Sequence, residues 1–281
     1  ASSAASDVYK RQGNNLSLYL LELFTSQVAK VGMTDGIRQV LQEESDALRA
    51  YYEQAGILIA RPAGGTSCRL AISAKGGTNA ENHNHNDVGS YAVALGSETM
   101  VGDQGGPNSY PGDYFNGDAP QKYKIKGSFG HPVPVVDGRT QSSGGKAKGV
   151  VLQKEFTNEK DVFSIDYTSA YSTPNLDKLI RTFVYDRQGE GNFTVGDEFT
   201  AKTPIRFETA ITTRADWKIL DDTHLLLATD SEQMIVAIEA SGKVAFTSET
   251  IEVNSPAYTR IGIALKNQSK EGYIRLKMYT K

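Results

Sequence analysis

The stretch Ala74-Lys75-Gly76-Gly77-Thr78-Asn79-Ala80-Glu81-Asn82-His83-Asn84-His85-Asn86-Asp87-Val88-Gly89-Ser90-Tyr91 decides how the chain is read. Three of the four histidines fall within the 49 residues from His83 to His131, and two of them sit in the run Asn82 to Asp87. If that run is extended, alternate side chains share a face. His83, His85 and Asp87 then project one way and the three asparagines the other. Eighteen residues after His85 comes Asp103, in Val101-Gly102-Asp103-Gln104-Gly105-Gly106, and twenty-eight further on comes His131. Two imidazoles and a carboxylate gathered in this way make a divalent-metal set, with zinc the first candidate on ligand type. The competing reading is an Asn-rich polar loop whose histidines only satisfy backbone groups.

Working outward, two helical patterns come first. Leu16 to Val31 is apolar on nearly every side, as in a helix packed among helices. A second helix opens at Thr34 or Asp35 and carries Ile37, Val40, Leu41, Leu48 and Tyr51 before Gly56 ends it. From Ile57 onward the pattern changes to short β segments separated by Gly, Asn, Asp and Ser. The predicted strands begin at Ile57–Arg61, Cys68–Ala74, Gly89–Ala94 and Thr99–Asp103, and continue through Ile251–Asn254, Thr259–Ala264 and Gly272–Met278. Many strands without alternating helices point to a large antiparallel β-sandwich. The division reads as a non-native or disordered segment over 1–12, helices over 13–56 and the sandwich over 57–281. Two helices alone make a poor domain, so a larger helical array is expected upstream of Ala1.

Composition limits the function classes. The 281 residues hold one large or two modest domains, and a net charge of −3 argues against a general nucleic-acid binder. No apolar run is long enough for a membrane-spanning helix. The single cysteine, Cys68, excludes an intramolecular disulfide and reads as a small buried hydrophobe.

Two motif matches fail. His83 to Asp87 follows the metallo-β-lactamase pattern His-x-His-x-Asp-His for five positions, but Val88 stands where the next histidine belongs, and the all-β context is wrong for that fold. The cupin motif needs a glutamate four or five residues after its histidine pair, where this chain has Gly89 and Ser90.

The stretch Ala74 to Tyr91 closely resembles the heparinase II/III-like polysaccharide lyases, as do Tyr52-Glu53-Gln54-Ala55-Gly56, Val101-Gly102-Asp103-Gln104-Gly105, Ser128-Phe129-Gly130-His131-Pro132-Val133-Pro134-Val135-Val136-Asp137-Gly138 and Arg181-Thr182-Phe183. The resemblance covers most of residues 50–185. It implies an incomplete (α/α) toroid followed by an antiparallel sandwich, and cleavage of acidic polysaccharides by β-elimination. That chemistry removes the C5 proton of a uronic acid, protonates the leaving glycosidic oxygen and requires the substrate carboxylate to be neutralised. The resemblance makes His83 the cleft histidine, with Asn82 beside it for substrate, and makes His85, Asp103 and His131 the ligands of a structural zinc. His131 is followed by Pro132 where many members have Asn-Thr. The toroid-borne catalytic tyrosine and its companions have no counterpart in this chain, so as an enzyme it reads as incomplete.

Weaker features complete the set. Tyr110 and Tyr114 could reach the cleft as proton donors or sugar platforms. Lys122, Lys124 and Lys126 alternate and would attract a polyanion if extended, or else guard an edge strand; Lys124 is the substrate-binding choice. His224 reads as a surface turn residue, and Trp217, Tyr167 and Tyr171 as core packing. The implied partners are an acidic polysaccharide such as a glycosaminoglycan or alginate and the toroid; a homodimer is compatible, and the family's polymer-degrading members are periplasmic or secreted. The rival reading is a non-catalytic, zinc-stabilised carbohydrate-binding or scaffold sandwich.

Overall fold

The computed structural model describes residues 47–81, 84–252 and 257–281. It opens on a hairpin. Strand β1 (Arg49–Tyr52) pairs antiparallel with β2 (Ile57–Ala60) across a turn that Gly56 closes at φ +62°. This corrects the expectation of a helix running to Gly56, whose last turns are a strand. Tyr51 packs edge-on against Phe156 and Phe163 at 5.7 Å each, and Arg49 reaches Asp161 at 2.8 Å. Those long-range contacts, together with the β preference of paired tyrosines, override the helical spacing. The helix expected over 16–31, and most of the second, lie outside the described residues, as does the segment 1–12.

All strand pairs are antiparallel. β1 and β2 continue through β3 (Leu70–Lys75), β5 (Tyr91–Leu95) and β6 (Glu98–Val101) into a five-stranded sheet of order β1-β2-β3-β5-β6. A second sheet has four strands in the order β17 (Val244–Ile251), β18 (Tyr258–Leu265), β13 (Phe207–Thr213) and β7 (Val135–Val136). These two sheets abut: Gly102 N–H donates to Thr212 O at 2.9 Å, and the Thr213 hydroxyl donates to Met100 O at 2.6 Å.

The eight-stranded sheet faces them. Its order is β14 (Asp216–Asp221), β15 (His224–Ala228), β16 (Gln233–Ala240), β19 (Ser269–Thr280), β12 (Asn192–Ile205), β11 (Leu176–Asp186), β10 (Lys160–Asp166) and β9 (Val150–Phe156). Leu179, Arg181, Phe183 and Tyr185 alternate inward on β11, as do Phe193, Val195, Asp197 and Phe199 on β12. Tyr91 of β5 lies 6.2 Å from Phe183 and 6.0 Å from Phe193, while Phe199 stacks on Phe207 of β13 at 4.7 Å. The large sheet therefore packs on both smaller ones, and each buried Leu, Val or Phe among these side chains stabilises the sandwich by about 1.5–3 kcal/mol.

Most predicted strands are present with shifted ends. The edge strand β14 was not anticipated; Trp217 is its one residue that is not exposed, while Ile219 and Leu220 face solvent. Nor was the two-stranded pair of β4 (Thr78–Asn79) and β8 (Gly144–Lys148). The strand expected at Ile251–Asn254 is instead the end of β17, with residues 253–256 outside the described set. Among the described residues no helix is long and apolar enough to cross a membrane.

Candidate metal centre and its loops

Two connections meet beside the junction of the smaller sheets: residues 76–81 and 84–90, which lie between β3 and β5 and include β4, and residues 102–134 between β6 and β7. A one-turn helix at Ser128–Gly130 delivers His131, which is buried. Gly130 is required there, because a Cβ would lie 2.3 Å from Lys124 O. The Tyr258 hydroxyl donates to Gly130 O at 2.9 Å and holds the turn from β18.

His131 Nδ1 lies 2.6 Å from Asp103 Oδ1, and its Nε2 lies 3.1 Å from Ile125 O. Burial alone would raise the Asp103 carboxyl, but His131 beside it and hydrogen bonds from His131 and Ser90 hold it well below the usual carboxylate range. Burial likewise disfavours charge on His131, yet Asp103 outweighs it and raises the imidazole above its ordinary value.

His85 stands against this pair, its ring centroid 5.1 Å from that of His131. Its Nε2 lies 3.0 Å from the hydroxyl of buried Tyr114, and burial together with neighbouring His131 pushes its pKa down to about 3. Burial also raises the Tyr114 phenol. The sequence had not marked Asp87 as a ligand, but one ligand-type atom from each of Asp87, Asp103 and His131 lies within 4.8 Å of the others. Lys75, at the end of β3, places Nζ 2.5 Å from Asp87 Oδ1.

These residues fit a divalent cation. With Nε2 of His131 directed at the Ile125 carbonyl, Nδ1 is the nitrogen that would hold a cation, as when a ligating imidazole is oriented by a backbone carbonyl on its other nitrogen. Tyr114 similarly occupies Nε2 of His85. The atoms that converge, from Asp87, Asp103 and His131, are an N/O donor set of the kind zinc takes, and His85 stands beside them with its ring 5.1 Å from that of His131 rather than among them.

The remaining expected residues fall differently. Asn82 and His83 lie outside the described residues. Tyr110 is exposed, its ring 5.1 Å from both Tyr114 and Phe115. The three lysines do not share a face, because Ala119–Lys122 forms a single helical turn, α1, rather than extended chain. Lys122 pairs with Asp113, and Lys124 pairs with Glu249 on β17 and lies over the Phe129 ring. Lys126 is buried under the Tyr114 and Phe115 rings at 4.7 Å and donates to Tyr114 O at 2.5 Å. His224 pairs with Asp221 at the surface, Trp217 packs on the main core, and Tyr167 and Tyr171 are buried. Cys68 is a free buried thiol 3.5 Å from the Tyr185 hydroxyl.

Three further residues shape the loops. Gln141 accepts from Asn79 Nδ2 at 2.9 Å and from Val88 N–H at 3.1 Å, and donates to Val88 O at 2.7 Å. Arg181 donates into both loops from the large sheet. Asn86 turns away from His85 and Asp87 and donates to Gln141 O at 3.2 Å. Arg181 lies in the Arg181-Thr182-Phe183 run that carries the resemblance, and a charged residue at an alternating inward position, as in Leu179-Ile180-Arg181-Thr182-Phe183, is a second readable signal for it.

No protein-family model matches the sequence, and no curated protein does. Solved structures do. The heparan sulfate lyase HepC from Pedobacter heparinus superposes with a TM-score of 0.69 at 14% identity, covering 94% of this chain and 42% of that one. A heparinase III structure superposes with a TM-score of 0.65 at 18% identity, covering 83% of this chain and 36% of that one. The fold is therefore that of a heparinase III-like β-sandwich, and the chain spans about two-fifths of the length of these lyases.

Proposed function

We propose that this chain is the sandwich portion of a polysaccharide lyase that cleaves uronic-acid-containing glycans by β-elimination, and that it depends on an upstream helical toroid for activity. The observation carrying this reading is the His131–Asp103 contact with His85 packed alongside, in a sandwich of heparinase III fold. In this reading His85, Asp103 and His131, with Asp87 at the same point, hold a structural zinc. Such an ion would supply fixed positive charge that crosslinks the two loops.

The chain's own side chains then carry the surface chemistry. His83 sits two residues from the anchored His85 and helps neutralise the substrate carboxylate or move its proton, with Asn82 beside it. Tyr114 orients His85 through its hydroxyl. Exposed Tyr110 offers a ring face to a sugar. The substrate class is a glycosaminoglycan or alginate, met in the periplasm or outside the cell.

The test is to incubate the full gene product containing this chain with heparan sulfate, chondroitin sulfate and alginate, following the absorbance of the unsaturated uronate. Product from one polymer, lost in His83→Ala, supports the reading. Because the chain spans only two-fifths of the lyases it resembles, a second reading is a zinc-stabilised glycan-binding sandwich. Tight binding of the same polymers by the full gene product without unsaturated product would favour it.

A further inference from the structure

Arg181 is fully buried in β11, yet it touches both loops of the metal centre. Nη1 donates to Gly89 O at 2.6 Å and to Pro132 O at 2.7 Å. Gly89 follows Asp87 by two residues, and Pro132 is next to His131. Nε and Nη2 donate to the two oxygens of Asp197, each at 2.7 Å, and Nη2 also reaches Thr209 Oγ1 at 3.1 Å. A guanidinium has five N–H donors in a fixed planar fork, and all five are used.

The anchor is itself held from several sides. Asp197 additionally accepts from the hydroxyls of Tyr167 at 2.6 Å and Thr209 at 2.7 Å. Tyr167 and Tyr91 flank the guanidinium, at 5.7 and 5.6 Å from their ring centroids. The first loop approaches so closely that a Cβ on Gly89 would meet the Tyr167 ring at 3.2 Å and Arg181 Cδ at 3.6 Å, and Gly89 holds φ +88°. One rigid group thus sets the distance between the backbone beyond Asp87 and the backbone beyond His131.

We propose that Arg181 is the positioning residue of the metal centre: its Nη1, anchored through Asp197, holds the Gly89 and Pro132 carbonyls at the spacing that brings Asp87, Asp103 and His131 together. The inference rests on the metal reading of the preceding section. Lysine has neither the fork nor the number of donors, so charge alone does not replace it.

The experiment compares wild type, Arg181→Lys and the milder Thr209→Val with Arg187→Met. The last breaks a different buried ion pair, Arg187–Asp161, which touches neither loop of the centre. Zinc affinity by chelator competition, the absorption spectrum of the cobalt-substituted protein and the histidine ring signals in NMR are recorded below every variant's melting temperature. Arg181→Lys is expected to lose zinc affinity by roughly 10–100-fold, as supporting-shell changes do, and to alter the cobalt spectrum. Thr209→Val should show a smaller loss in the same direction, and Arg187→Met should lose stability only.

Wild-type affinity and spectrum in Arg181→Lys, or an equal loss in Arg187→Met, would overturn the proposal. If Arg181→Lys does not fold, Thr209→Val decides, and unchanged affinity there is the overturning result. A wild type that takes up no metal would sink the metal reading alone. The brace then stands on His131 ring signals that shift in Arg181→Lys or Thr209→Val and not in Arg187→Met, and falls if they do not.

Discussion

The hydroxyl of Tyr114 lies 3.0 Å from Nε2 of His85, a side-chain bond that ties the loop after β6 to the loop before β5. The ring of Tyr114 is packed independently of that bond, in a small cluster with Ile125, Ile251 and Tyr258. Tyr114→Phe keeps the packing and removes the bond. Stability should fall by only about 1 kcal/mol, the net worth of one hydrogen bond. Zinc affinity should fall by roughly tenfold, because His85 loses the partner that orients it. Thermal melts beside chelator competition check both; a large loss of stability with unchanged affinity would make Tyr114 a packing residue only.

The histidines give the metal-free protein a pH profile with two opposed limbs. His85 binds its proton near 6.5 when unfolded and only near 3 when folded. The unfolded state therefore binds more protons in that interval, and stability falls as pH drops from about 6.5 to about 3. His131 is raised, so its contribution is full below 6.5 and is lost as pH rises through its folded value. Asp103 is depressed, and its contribution disappears only in stronger acid. Melting temperature against pH in chelator should show His85→Asn flattening the limb between 6.5 and 3 while leaving the other limb in place.

Gly89 should not tolerate a side chain. Its φ of +88° disfavours any L residue, and the Tyr167 ring stands 3.2 Å from where a Cβ would be. Gly89→Ala is expected to cost about 1–3 kcal/mol in stability and to displace the Asp87 side of the centre. Urea unfolding measures the first effect and zinc uptake the second. Ala at Gly105, where no atom lies within 4 Å although φ is +67°, is the control for backbone strain without crowding.

The sandwich was legible because alternation and turn residues are local signals, and the strands from Ile57 onward carry both. The hairpin at Arg49–Tyr52 was not, since Tyr51 and Arg49 take their conformation from Phe156, Phe163 and Asp161, more than a hundred residues away. At the centre, the resemblance pointed to His85, Asp103 and His131, and the structure sets His131 on Asp103 and beside His85. The alternation argued for Asn82 to Asp87 required extended chain, whereas residues 84–90 form a loop and Asn82 and His83 lie outside the described residues. The lysines were misread for a related reason. Alternation means a shared face only in extended chain, and Lys122 sits in a helical turn while Lys126 is buried. Nothing local marked Lys75 as part of the site, because its partner Asp87 lies twelve residues further along the chain.

Lys75 and a divalent cation compete for the same carboxylates. Its ammonium sits 2.5 Å from Asp87 Oδ1, and Asp87 and Asp103 each offer an oxygen within 4.8 Å of the His131 nitrogen. Asp87, Asp103 and Glu81 together outweigh burial and hold Lys75 charged. Without metal, that charge offsets the repulsion of the two aspartates, so Lys75→Met should destabilise the metal-free protein, by about 1–3 kcal/mol for an unpaired, partly buried carboxylate. With metal the sign reverses, because the cation then meets two carboxylates with no ammonium between them. Zinc affinity should rise several-fold, and the melting temperature should respond more to added zinc than in wild type. Calorimetric titration of wild type, Lys75→Met and Asp87→Asn separates the outcomes. Tighter binding in the first variant and weaker binding in the second place Asp87 on the metal. Equal affinity in all three would mean that Asp87 serves only as the counter-ion of Lys75, leaving His85, Asp103 and His131 as the whole protein ligand set.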